Sequence, residues 1–332
     1  MPLTQLNFQP GIDTENTPSG AEGRWIDCDK VRFRKGLPQK IGGWTKFSEA
    51  YYVGVGRALE QWFALDGSRY EALGTDRKVY VYVAGTNQDI TPIRSTDALV
   101  NAISTTTSSN IITITDTDHG AIQGDFVTLS SVSTAVAGIP ATTLDAEYQI
   151  LSIANSDAYT IQSSATANAN TGPTANCTIN YQLNIGPSIQ TFGFGWGAGN
   201  WSAGTWNTPR TTTTITLDAR LWSINNWGED LIITQKDGGT YEWDTSAGMT
   251  DNRATVVANA PTTSTLSLVS TETRHVVCMG TETTIGTNTT QDKMFIRWSD
   301  QENYNQWTPN VTNSAGSQRI AGGSEIRCAR PA

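Results

Sequence analysis

The chain has 332 residues, a net charge of −9 and only 16% charged residues, with 37% apolar content. That length allows two domains, or one large β domain with an insertion. A pI of 4.8 argues against a surface that grips nucleic acid through its phosphates, which needs clustered Lys and Arg. An acidic wall past which a duplex slides stays compatible with it.

No stretch approaches 18 consecutive apolar residues, so no membrane span is expected. The opening M-P-L-T-Q-L-N-F-Q-P has neither the basic nor the apolar region of a secretory signal. Thr makes up about one residue in seven, with Gly, Ser and Asn abundant and Lys, Glu and Leu scarce. Thr favours strands, and Gly and Asn favour the turns between them. The expected fold is all-β.

Residues 1–45 read as an extended segment with first strands. Pro2, Pro10, Gly11, Pro18 and Gly20 punctuate it, and Val31 and Phe33 alternate with charged neighbours in C-D-K-V-R-F-R, the period of a half-buried strand. From Gly56 to Ile93 short strands alternate with tight turns. Asp66-Gly67 is the strongest hairpin signal among them.

A second copy of this layout lies in R-L-W-S-I-N-N-W-G-E-D-L-I-I-T-Q-K-D-G-G-T-Y-E-W. Placing Gly67 on Gly228 sets Asp76 on Asp237, Tyr80 on Tyr241 and Tyr82 on Trp243. In D-K-M-F-I-R-W, Asp292 and Trp298 keep the spacing of Asp76 to Tyr82 and of Asp237 to Trp243. The common unit is a turn Asp followed by a strand ending on an aromatic. Such repeats suggest propeller blades that stack their aromatics to bury an open face; the alternative is chance similarity between ordinary hairpins. The propeller would occupy residues 46–96 and 183–332.

Residues 97–182 differ in texture: nearly free of Lys and Arg, without Trp, and strictly alternating in segments such as S-N-I-I-T-I-T and C-T-I-N-Y-Q-L-N-I. They read as an inserted small β-barrel or sandwich domain of ordinary size. In the next stretch Gly alternates with Phe192, Phe194, Trp196, Trp201 and Trp206. Small neighbours let rings pack closely. These residues form either a subunit-contact arm or a loop that packs its own rings.

Catalytic and metal motifs are missing. Cys28, Cys177, Cys278 and Cys328 are dispersed, and His119 and His275 are far apart, without zinc-ligand spacing. Asp116, Asp118 and His119 in T-D-T-D-H-G resemble the start of a calcium loop but lack its later Gly and Glu. Acids near aromatics, as in Trp243-Asp244 and Trp298-Ser299-Asp300, would suit a sugar site, which needs two carboxylates brought together. There is no nucleophile elbow, P-loop or dinucleotide fingerprint. No enzyme activity, cofactor or metal is expected.

Two segments carry a family resemblance: L-N-F-Q-P-G-I-D with E-G-R-W-I-D-C-D-K-V-R-F-R-K-G-L-P-Q-K-I-G-G-W, and G-F-G-W-G-A-G-N-W-S-A-G-T-W-N-T-P-R with R-W-S-D-Q-E-N-Y-N-Q-W-T-P. They resemble the packaged-DNA stabilisation or tail nozzle (hub) proteins of short-tailed bacteriophages, over residues 5–95 and 185–330. H-G-A-I-Q-G-D-F-V, L-D-A-E-Y-Q-I and D-A-Y-T-I resemble a small β module of phage structural proteins.

The resemblance implies a virion tail location and a homo-oligomeric, hexameric ring. It implies tail adaptor, portal, and fibre or needle proteins as partners, and packaged DNA passing the lumen without sequence-specific binding. No membrane is expected in the mature particle. The ending C-A-R-P-A reads like the middle of a blade, so either a fragment or an incompletely closed propeller is expected. The competing reading is a carbohydrate-binding or depolymerising tail protein; a bacterial surface adhesin is a third.

Overall fold

The computed structural model describes residues 9–43, 45–46, 51–190 and 218–330. The chain divides into two compact units, residues 1–49 and 50–332. The first unit contains an antiparallel hairpin of β1 (Val31–Arg34) and β2 (Leu37–Lys40). Its preceding loop is held by Asp13, whose carboxylate accepts from the Asn16 side chain at 2.9 Å and pairs with Arg24 at 3.1 Å.

In its described residues the second unit is all β apart from short helical turns, the only α-helical one described being α1 (Ala141–Leu144). It opens on a four-stranded meander, blade 1: β3 (Gly56–Phe63), β4 (Arg69–Thr75), β5 (Val79–Val83) and β6 (Thr86–Asp89), in that spatial order. The Asp66-Gly67 turn joins β3 to β4. Gly67 takes φ +84°, where a side chain would be strained, and Asp66 accepts from the Ser68 amide at 2.7 Å.

An eight-stranded antiparallel sheet follows, formed by β7 (Ile93–Leu99), β8 (Ile103–Thr105), β9 (Ile111–Thr115), β10 (Phe126–Ser130), β11 (Glu147–Asn155), β12 (Ala158–Gln162), β13 (Thr171–Thr174) and β14 (Cys177–Gln182). Its order is β13-β8-β9-β12-β11-β10-β14-β7, with β13 and β7 at the edges, so it does not close into a barrel. The N-terminal half of β11 pairs with β10, and its C-terminal half, after a bulge beyond Ile150, pairs with β12. Bulges bend strands, and both parts of this sheet contribute to one core. Ile112, Ile114, Tyr159 and Ile161 meet Val127, Leu129, Ile179 and Tyr181 there. Each such aliphatic side chain contributes about 1.5–3 kcal/mol when buried.

Blade 2 comprises β15 (Trp222–Trp227), β16 (Asp230–Gln235), β17 (Thr240–Trp243) and β18 (Thr255–Val256), and blade 3 comprises β19 (Leu266–Ser270), β20 (His275–Met279), β21 (Phe295–Trp298) and β22 (Gly316–Arg319). A two-residue turn, Gly228-Glu229, joins β15 to β16, with Gly228 at φ +64°.

The three blades stack face on face. Trp62, Ala72, Val79 and Val81 on the leading face of blade 1 meet Trp222, Ile224, Leu231, Ile233, Tyr241 and Trp243 on the trailing face of blade 2. The opposite, leading face of blade 2 presents Trp227 and Ile232 to Val269, Val276 and Cys278 on the trailing face of blade 3. Period-2 alternation makes this possible, since one strand supplies both interfaces: Leu231 and Ile233 point one way and Ile232 the other.

Candidate functional site

The five aromatic residues of the Gly-rich stretch, Phe192, Phe194, Trp196, Trp201 and Trp206, lie outside the described residues. The six repeat positions lie within them. Asp76, Asp237 and Asp292 each occupy the loop that leads into the third strand of a blade, and Tyr82, Trp243 and Trp298 each lie on that strand.

Each Asp fastens its loop. Asp76 is buried and accepts from the Val55 amide at 2.5 Å. Asp237 takes φ +55° and binds across to blade 3, accepting from Lys293 and from Gln291 at 3.0 Å. Asp292 accepts from the Met294 amide at 2.9 Å and from Arg319 at 2.6 Å.

The aromatic positions do not share one environment. Tyr82 and Trp243 both lie on trailing faces, because Tyr82 pairs with Glu71 and Trp243 with Leu231. Trp243 is fully buried against blade 1, whereas Tyr82 is half-buried. Trp298 pairs with Val277, and Cys278 on the trailing side pairs with Arg297, so Trp298 is on the leading face. The third copy is therefore out of phase. The loop between β20 and β21 is much longer than that between β16 and β17, and an odd shift in register turns a side chain to the other face. Trp298 covers Gly316 and donates from Nε1 to the Ser314 carbonyl at 2.8 Å.

An ionic junction that sequence reading missed joins blade 1, blade 2 and the eight-stranded sheet. Lys78, only 4% exposed, reaches Asp89 at 2.7 Å and Glu147 at 2.5 Å, and its ammonium stands 4.2 Å from the centre of the Phe126 ring. Arg253 pairs with Asp89 at 2.9 Å and with Glu147 at 3.6 Å, while Gln182 donates to Glu147 at 2.6 Å. Both carboxylates are thus committed to cations. The four charges are far apart in sequence, so no local motif could have announced them.

The T-D-T-D-H-G segment forms a second polar cluster. Tyr181 donates to Asp116 Oδ2 at 2.6 Å and stands 3.1 Å from the Tyr159 hydroxyl. Burial holds the hydroxyls of both tyrosines well above the usual range. His119 accepts from the Ala121 amide at Nδ1 (3.0 Å), and its Nε2 faces the Asn155 carbonyl at 3.2 Å, which places the proton on Nε2. Asp118 is exposed in a left-handed turn. Asp116 and His119 are therefore used in packing the core end. Among the described residues, no three His, Cys, Asp or Glu side chains converge as a metal-ligand set.

The acids beside aromatics have local duties as well. Asp244 caps the short helical turn Thr245–Ala247 through the Ser246 amide at 2.7 Å, and Asp300 accepts from the Ser314 amide at 2.7 Å. In the R-W-S-D-Q-E-N-Y-N-Q-W-T-P segment, Trp307 is fully buried between blades 2 and 3. Tyr304 meets Trp227 edge-on at 5.4 Å.

One open groove of about 440 Å³ lies on the eight-stranded sheet, lined by Gln123, Glu147, Gln149, Leu151 and Gln162. Another of about 300 Å³ lies between β15 and β19, near Lys236 and Arg327. No described helix is long and apolar enough to cross a membrane.

No protein-family model and no curated protein matches the chain. Among solved structures it is similar to a phage phi92 endosialidase, at 12% identity and a TM-score of 0.26, over 82% of this chain and 38% of that one. This chain thus spans well under half the length of that structure.

Proposed function

We propose that this chain is a non-catalytic structural component of a short-tailed phage tail, part of the nozzle or hub conduit that retains packaged DNA and lets it exit at ejection. The sequence resemblance over residues 5–95 and 185–330 supplies the phage reading. The structural observation that favours a scaffold over an enzyme is the employment of its polar groups. Asp76, Asp237, Asp292, Asp244, Asp300, Asp116 and His119 all hold turns, strands or neighbouring blades.

In this reading copies form a hexameric ring below the tail adaptor and portal proteins, next to fibres or a needle. The net charge of −9 keeps the lumen from gripping a duplex, since affinity for phosphates needs cationic clusters. Electron microscopy of particles carrying a tagged chain tests this. Density in a ring at the distal tail, with a channel wide enough for a duplex, is the expected result. A tag found only in the capsid, or a single copy per particle, would sink it.

The competing reading takes the open groove with its three glutamine side chains as a carbohydrate-binding surface of a tail protein. Amide side chains can both donate to and accept from sugar hydroxyls. Specific retention on a glycan array, or sugar release from host polysaccharide, would favour it over the conduit.

A further inference from the structure

Among the described residues, two faces of the second unit's blades have no further blade packed on them. The leading face of blade 3 carries two cross-strand apolar rows, Leu266–Met279–Ile296 and Leu268–Val277–Trp298. All six are half-buried, and none belongs to a core cluster. On the trailing face of blade 1, Tyr80 is buried and its hydroxyl accepts from the Val53 amide at 3.0 Å, while the β3 end presents Leu59 at 71% exposure and Phe63 at 60%. They alternate along β3 with Ala58, Glu60 and Trp62, and Trp62 belongs to the blade 1–blade 2 core.

Both described interfaces between blades have one sense: a leading face receives a trailing face. Blade 1 does this to blade 2 through the Trp62–Val81 surface, and blade 2 to blade 3 through Ile232. The partner that fits the leading face of blade 3 is therefore the trailing face of another blade. The described trailing face with large apolar side chains open to solvent is that of blade 1.

We propose that the leading face of blade 3 packs against the trailing face of blade 1 of a second copy of this chain, continuing the blade stack from one copy to the next. The contact is heterologous: each copy offers a different surface to each neighbour. Such contacts close into rings where the rotation permits. Large contiguous exposed apolar patches mark interaction sites.

This proposal rests on the oligomeric part of the reading above but not on which particle holds the chain. A chain that associates through these faces yet is absent from tails would sink the tail reading alone. A tail component indifferent to changes at Leu59 and Phe63 would sink this inference alone.

The test is sedimentation velocity of the purified chain over a range of concentrations. The wild type is expected to self-associate, and the double variant Leu59→Asp with Phe63→Asp to lose association by about a hundredfold or more. Both side chains are exposed in the single copy, so circular dichroism and melting should be unchanged.

A Val277→Asp variant blocks the other face. Each variant alone should be monomeric, and their mixture should give a one-to-one dimer, because one intact leading face then meets one intact trailing face. A wild type that stays monomeric throughout, an association untouched by the Leu59 and Phe63 changes, or the absence of the mixed dimer from folded variants overturns the proposal. If Val277→Asp fails to fold, the Leu59 and Phe63 comparison decides alone.

Discussion

A β-carbon placed on Gly74 would stand 2.7 Å from Cδ1 of Trp222, and the indole nitrogen of that Trp donates to the Thr75 carbonyl at 2.6 Å. This contact seats blade 2 on blade 1. It joins residues 148 positions apart (74 to 222), and it works because Gly74 leaves room for the ring.

Gly74→Ala is expected to destabilise the second unit by about 1–3 kcal/mol, the usual cost of overpacking a fitted core. Trp222→Ala should cost about 3–5 kcal/mol through the cavity it leaves. Urea unfolding followed by fluorescence measures both. A Gly74→Ala variant as stable as the wild type would show that the ring shifts freely.

Lys78 is buried beside two carboxylates. Lys78→Met leaves Asp89 and Glu147 sharing Arg253 alone, and removal of one partner from a buried ionic cluster costs about 3–5 kcal/mol. Adding Glu147→Gln should recover part of the loss. A double-mutant cycle reads the coupling, and additive effects would mean that the two groups do not interact.

Asp237 predicts an acid limb of stability. Burial raises its pKa, but hydrogen bonds from Lys293 and Gln291 outweigh burial and leave the carboxyl below its ordinary value of 3.8. A depressed folded-state pKa gives stability that is present above the unfolded-state value and lost as pH falls through the folded one. Stability should therefore fall as pH drops below about 3.8, and Asp237→Asn should flatten that limb. Melting temperatures between pH 5 and about pH 2 check the slope.

Cysteine reactivity should divide by burial. Burial pushes the thiols of Cys177 and Cys278 up to about 11, leaving roughly one thiolate in a thousand at about pH 8. Cys328 is exposed. Alkylation of the native chain followed by peptide mass mapping should label Cys328 well before Cys177 or Cys278, which should react only once urea unfolds the chain. Rapid native labelling of Cys278 would contradict its place between blades 2 and 3.

Much of the local structure was legible in the residues. The near-continuous apolar runs K-V-Y-V-Y-V and L-I-I-T-Q mark strands, because a strand between two packed faces needs apolar groups at successive positions. Asp66-Gly67 and Gly228-Glu229 mark turns that need positive φ. The Asp that precedes each third strand was visible because turn chemistry is local. The face taken by Trp298 was not, since it depends on the length of a loop and on register with β20.

The sequence by itself determined the all-β class, the repeated Asp loop before each third strand and the distinct texture of residues 97–182, all of which follow from short-range preferences of backbone and side chain. Only the tertiary structure decided which faces meet. It set Gly74 under Trp222, gathered Lys78, Asp89, Glu147 and Arg253 at one junction, and turned Trp298 away from the face that Trp243 occupies. These outcomes depend on strand register and on contacts between distant residues, which composition and spacing leave undetermined.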